Sequence, residues 1–267
     1  MLEKRIISSI GLIVLIITAI FNEFVFIASI LLFIAVGMNE FFNMLRKKGI
    51  KVYSYFGAVI GLIIPLSIVL HYRYNFAITK KIEFVLIIAA LLFLLVLQFK
   101  RREHKDVIID ISTTVFGVIY VSWLFSFLIK IRYMPEGAGL FAAVLIMTKL
   151  GDIGAYIVGM TLGKNPLLPK ISPKKTVEGA IGGLFFSMLG AVISKNWLGM
   201  PYLHAVLLGL FLGVLGQLGD LSESLIKRDC GVKDSGSVLP GMGGFLDEMD
   251  SLLFTAPVFY FYLSVIL

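Results

Sequence analysis

The chain is poor in charge, poor in cysteine and without any long polar stretch. Only 15% of its 267 residues are charged, against 58% hydrophobic, and the mean hydropathy is +0.95. A water-soluble globule of this length carries far more charge, so composition excludes one. No polar segment is long enough to fold as a separate domain outside a bilayer. The single cysteine, Cys230, rules out an intrachain disulfide and reads as a cytosol-facing thiol. The three histidines, His71, His104 and His204, are scattered and lack metal-ligand spacing, so structural or interfacial roles are expected. Lys4 and Arg5 precede an apolar run, but no small-residue cleavage site follows, and the run reads as a retained first helix. Internal repeats are also missing, which argues against a transporter built from inverted halves.

What is present is a series of apolar runs. They cover roughly residues 6–20, 24–45, 53–70, 82–99, 107–131, 137–162, 176–193, 203–225 and 245–267. The expected fold is an all-α polytopic integral membrane protein of about nine transmembrane helices. The net charge of +7 could suggest nucleic acid, but the basic residues sit in short loops, which reports topology and anionic headgroups instead. With the N-terminus cytosolic, inside segments hold Lys4 and Arg5, Arg46 to Lys51, Lys100 to Lys105, Lys164 to Lys175, and Lys227 to Lys233. Outside segments keep only Arg73, Lys80, Lys81, Lys130, Arg132 and Lys195. This imbalance predicts an odd number of spans, with the loops after residues 162 and 225 facing the cytosol. The first five runs are chemically plain, while the last four carry nearly all the unusual residues. The sequence therefore predicts one integrated membrane domain, with scaffold helices over 1–135 and a catalytic region with cytosolic loops over 136–267.

Three segments carry that chemistry. In the first, Lys149 and Asp152 share a helical face, either as a self-neutralising pair or as a polar cavity wall. The second runs from Gly163 to Gly179. There Ser172-Pro173 reads as a helix start, placing Lys174 and Lys175 in the first turn. Cations are misplaced at that end of a helix unless an anion joins them, or unless they anchor to headgroups. Thr176 adds a hydroxyl, and Glu178 could cap or align a lysine. In the third segment, Asp220 and Glu223 share a face inside an apolar span, with no basic neighbour one turn earlier. An unpaired carboxylate at that depth costs on the order of 3 kcal/mol, a cost that a divalent cation would remove. Asp247 and Asp250 repeat the spacing at the start of the last span. The glycine-rich stretch between, Gly231 to Gly244, has backbone that could approach phosphate but lacks the P-loop spacing.

The run Ser224, Lys227, Arg228, Lys233, Asp234, Gly236, Leu239, Pro240, Gly243, Gly244, Asp247 and Asp250 resembles the signature of the phosphatidate cytidylyltransferases, or CDP-diacylglycerol synthases. Asp152 to Tyr156, Gly159 and the stretch from Gly163-Lys164 to Gly179 are similar to the same family. Together these motifs cover roughly the C-terminal 40% of the chain. The resemblance implies transfer of CMP from CTP to phosphatidate, giving CDP-diacylglycerol and pyrophosphate. It implies Mg²⁺ as cofactor, a second cation being left open, and an inner-membrane homodimer whose site faces the cytosol. On that reading Asp220, Asp247, Asp250 and Glu223 are the metal ligands, and Asp220, Asp247, Lys233 and Arg228 the catalytic set. Ser172, Lys174, Lys175, Thr176, Glu178, Lys227 and Asp152 bind substrates. Two positions depart from the family pattern: Met242 stands where His is usual, and Glu248 where Arg is usual. A CTP-dependent polyprenol kinase is the alternative, with a cation transporter behind it. The Asp-Gly-x-x-Ala-Arg run of CDP-alcohol phosphotransferases is not present.

Overall fold

The computed structural model describes residues 2–74, 82–99 and 105–266. Lys80, Lys81, Lys100, Arg101, Arg102 and His104 lie outside the described residues, as do the side chains of Lys4 and Arg5. In chain order the elements are α1 (Leu2–Phe21), α2 (Glu23–Lys47), α3 (Ser54–Tyr74), α4 (Ile82–Gln98), α5 (Val107–Gly117), a π-helical segment (Val118–Trp123) and α6 (Leu124–Arg132). They continue with α7 (Gly137–Leu162), β1 (Pro166–Leu168), β2 (Ser172–Thr176), α8 (Val177–Ile193), α9 (Lys195–Leu198), α10 (Tyr202–Asp229) and α11 (Phe245–Ile266).

Among the described residues, five helical stretches are long and apolar enough to cross a bilayer: Glu23–Lys47, Ser54–Tyr74, Val107–Arg132, Gly137–Leu162 and Tyr202–Asp229. Three shorter apolar helices cover Ile6–Phe21, Ile82–Gln98 and Val177–Ile193. The chain is an all-α membrane protein, and among the described residues its strands form one small hairpin. Local chemistry sets the helix ends. Asn22 caps α2 by accepting from the Val25 amide at 3.1 Å, with Glu23 in the first turn and Arg46 and Lys47 in the last, the arrangement the helix dipole favours.

The chain divides into two units, residues 1–130 with 230–247, and residues 131–229 with 248–267. The first unit holds α1 to α5, the π segment, most of α6, the glycine-rich loop and the first three residues of α11. Its core is aromatic and aliphatic, with Phe26, Phe41, Phe42, Ile34 and Met38 almost fully buried. A Cβ on Gly57 or Gly117 would strike the Phe42 ring, so bare backbone there admits the aromatic side chain. Lys130 and Glu83 form a buried ion pair at 2.8 Å, to which the Trp123 indole adds a hydrogen bond of 2.9 Å. Such pairing is how charge is tolerated among apolar helices.

In the second unit α7, α8 and α10 pack through small residues. A Cβ on Gly154 would meet Phe186, one on Gly182 would meet Val158, and one on Gly209 would meet Ala191. The helix start expected at Ser172-Pro173 is not there. Ser172–Thr176 is instead a strand, paired antiparallel with β1 in the register Pro166↔Thr176 and Leu168↔Ser172. The physical reason is local. Proline biases the residue before it towards extended backbone, so Ser172 continues as a strand. Thr176 becomes the N-cap, its hydroxyl accepting from the Gly179 amide at 3.1 Å. Lys174 and Lys175 therefore project from a hairpin and not from a helical first turn, and the dipole argument for them falls away.

Candidate active site

The second unit encloses a cavity of about 570 Å³ lined by α7, the hairpin, α8 and α10. Its polar lining residues are Asp152, Ser172, Lys174, Lys175, Thr176, Gln217 and Asp220. Ala155, Tyr156, Met160, Leu167 and Leu221 also line it. Tyr156 and Met160 are exposed.

The carboxylates expected to be unpaired are paired, which corrects the premise drawn from the sequence. Asp220 Oδ2 lies 2.5 Å from Lys175 Nζ, and Glu223, completely buried, lies 2.5 Å from Lys227 Nζ one turn later. Asp152 stands 3.5 Å from Lys149 and accepts from the Ser251 hydroxyl at 3.2 Å. Asp250 is buried and within electrostatic reach of Asp220, Glu223, Asp152 and Lys149. At α10, a Cβ on Gly219 would collide with the Asp250 carbonyl, so that glycine admits the backbone of α11 to α10. Four carboxylates and three lysines thus gather in this unit. No group of three or more His, Cys, Asp or Glu among the described residues is arranged to hold a metal ion. The donors are nonetheless all carboxylate oxygens, the chemistry a hard divalent cation takes.

Of the remaining expected residues, Arg228 is exposed at the end of α10 and donates from Nε to the Ile171 carbonyl at 3.3 Å. Glu178 braces the turn before the hairpin, accepting from the backbone amides of Lys164 and Asn165 and from Asn165 Nδ2 at 3.1, 3.2 and 2.7 Å. Lys233 and Asp247 belong to the first unit. Lys233 is exposed, whereas Asp247 Oδ2 is engaged, accepting from Gly244 N at 2.7 Å and from Ser235 N and Oγ at 3.0 and 2.9 Å. A carboxylate three residues into a helix that reaches back to the residue before it is the reciprocal half of a capping box. The sequence reading missed Glu40, a buried carboxylate on α2 bound to the first two amides of α11, and Ser251, which orients Asp152.

A profile described as the cytidylyltransferase family matches residues 3–266. The chain belongs to that family. Its relatives include a phosphatidate cytidylyltransferase of Synechocystis, 36% identical over 99% of this chain and 97% of that one. Another is the phosphatidate cytidylyltransferase of Bacillus subtilis, 39% identical over 88% of each chain. In this cytidylyltransferase the two departures from the motif have local partners. Glu248 faces Lys149, with Oε2 3.9 Å from Nζ, and the same ammonium donates to the Glu248 carbonyl at 2.7 Å. The extra acid is thus balanced by a lysine on α7. Met242 receives the Ser9 hydroxyl on its sulfur at 3.7 Å, and Ser8 donates to the neighbouring Pro240 carbonyl at 3.0 Å. Helix α1 therefore holds the glycine-rich loop in place.

Proposed function

We propose that this cytidylyltransferase joins CTP to phosphatidate in a membrane, releasing pyrophosphate and leaving CDP-diacylglycerol in the lipid. The observation that carries this reading is the cavity of about 570 Å³, whose lining combines the lysines of the hairpin and Asp220 with apolar side chains such as Met160, Leu167 and Leu221. One substrate is a soluble polyanion and the other an anion with acyl chains, and a lining of mixed charge and apolar surface suits the pair.

In the reaction a phosphate oxygen of phosphatidate attacks the α-phosphorus of CTP. A new P–O bond forms there, the α–β anhydride bond breaks, and its electron pair leaves on pyrophosphate. The nucleophile is already anionic near neutral pH, so the protein's task is placement and charge neutralisation. Lys174 and Lys175 hold the triphosphate, with Ser172 and Thr176 beside them. Arg228, planar and exposed, receives the phosphatidate headgroup. Lys227 balances Glu223, and Glu178 keeps the hairpin set. Asp220, Asp250 and Glu223 would hold Mg²⁺, with Asp220 and Glu223 giving up their lysine contacts to do so. Lys233 and Asp247 join the proposal on the motif resemblance. Bound Mg²⁺ would supply charge neutralisation on the phosphates. The homodimer, the inner-membrane location and the cytosolic face of the site are proposed on the same resemblance.

The test is purified protein in detergent with labelled CTP and phosphatidate, with and without EDTA. The expected products are pyrophosphate and a cytidine-linked lipid, both lost with EDTA and restored by Mg²⁺. Release of CDP with a phosphorylated lipid would instead identify a kinase. Ion flux in vesicles without CTP would identify a transporter.

A further inference from the structure

We infer that Glu40, buried in the C-terminal third of α2, is a positioning residue that sets the first turn of α11 and the carboxylate of Asp247 for the reaction proposed above, on which this inference rests. Glu40 is 3% exposed. Its Oε1 accepts from the Phe245 amide at 3.0 Å and its Oε2 from the Leu246 amide at 2.9 Å. These are two of the unsatisfied donors that every helix start presents, here answered by a carboxylate from another helix. The dipole of α11 adds to the attraction. Ser235 links Glu40 to Asp247: its hydroxyl oxygen lies 3.3 Å from Glu40 Oε2 and 2.9 Å from Asp247 Oδ2.

Two glycines of the signature exist to make room for this carboxylate. A Cβ on Gly236 would land on the Glu40 carboxyl group, and one on Gly244 would meet Ser235 Oγ, the Gly236 amide and Glu40. Neither glycine has positive φ, so space and not backbone freedom is what they provide. The glycines that the sequence suggests for phosphate approach are, at these two positions, packed against an acid from α2. A carboxylate so placed among apolar neighbours needs a strong reason to be there. Holding the start of α11 and the Asp247 carboxylate in one orientation supplies it, and losing that orientation costs rate through the part the proposal gives Asp247.

The experiment uses the full-length protein in detergent and the variants Glu40→Gln, Glu40→Ala, Gly236→Ala and Glu40→Ala/Gly236→Ala. For Glu40→Gln, kcat is expected to fall about 10- to 100-fold with KM for CTP within about twofold of wild type, at equal folded fraction. Amide exchange at residues 245 and 246 should accelerate in the same protein. Gly236→Ala should cost activity when Glu40 is present and almost none in the Glu40→Ala background, because the clash is gone. The inference is overturned if Glu40→Gln keeps kcat within about twofold. It also fails if exchange at 245 and 246 is unchanged, or if Gly236→Ala costs the same in both backgrounds. Should the wild type make no cytidine-linked lipid, the reaction reading fails by itself, while amide exchange still decides what Glu40 holds.

Discussion

Two carboxylate clusters, one at the start of α11 and one around the cavity, are held in different ways. In the first, Glu40 and Asp247 are bound by backbone amides and by Ser235. In the second, Asp220, Glu223 and Asp152 are bound by lysines. An acid held by N–H groups of the main chain cannot exchange its partners without refolding the turn. One held by a lysine can, because the ammonium sits on a flexible stem and another cation can take its place. The first arrangement builds a frame, and the second builds a site that can be reloaded.

The contrast is broken most severely at Asp220. Asp220→Asn should lower turnover by roughly a thousandfold or more if the residue holds the metal, with little change in thermal unfolding. Near wild-type, Mg²⁺-dependent pyrophosphate release by this variant would remove Asp220 from that role. Next comes the buried pair. Lys227→Met leaves Glu223 without its lysine and should cost about 3–5 kcal/mol of stability in a detergent melt. Exchanging both residues for leucine should recover most of that, and equal losses for the single and double variants would contradict the pairing. Lys175→Met should raise KM for CTP about 10- to 100-fold with a smaller effect on kcat, marking a binding role. The smallest effect is expected at the hairpin exit, where Thr176→Ala removes the cap of α8 and should cost about 1 kcal/mol in the same melt.

The helices were legible because apolar runs of this length admit few other structures, and each run named from the sequence falls on a helix among the described residues. The Ser172-Pro173 start was misread because a serine before proline looks like a cap, although the proline favours the extended strand that forms. Thr176, four residues later, carried the same cap signal. The carboxylate spacings at 152, 220, 223, 247 and 250 could be read, but their partners could not. Lys175 reaches Asp220, and Ser251 reaches Asp152, across elements far apart in the chain, and such pairs leave no periodic trace. Lys227 was within reach of the reading, since it lies one turn after Glu223. Glu40 also left a signal, an acidic residue between Met38-Asn39 and Phe41-Phe42 towards the end of an apolar run. The label of plain scaffold for the first helices hid it.

The crowding around the Glu40 carboxyl group has an evolutionary corollary. Positions 40, 236 and 244 share one small volume, so they should drift as a set across the family. A descendant that gains a methyl group at 236 should also have shortened the acid at 40, or lost its enzyme.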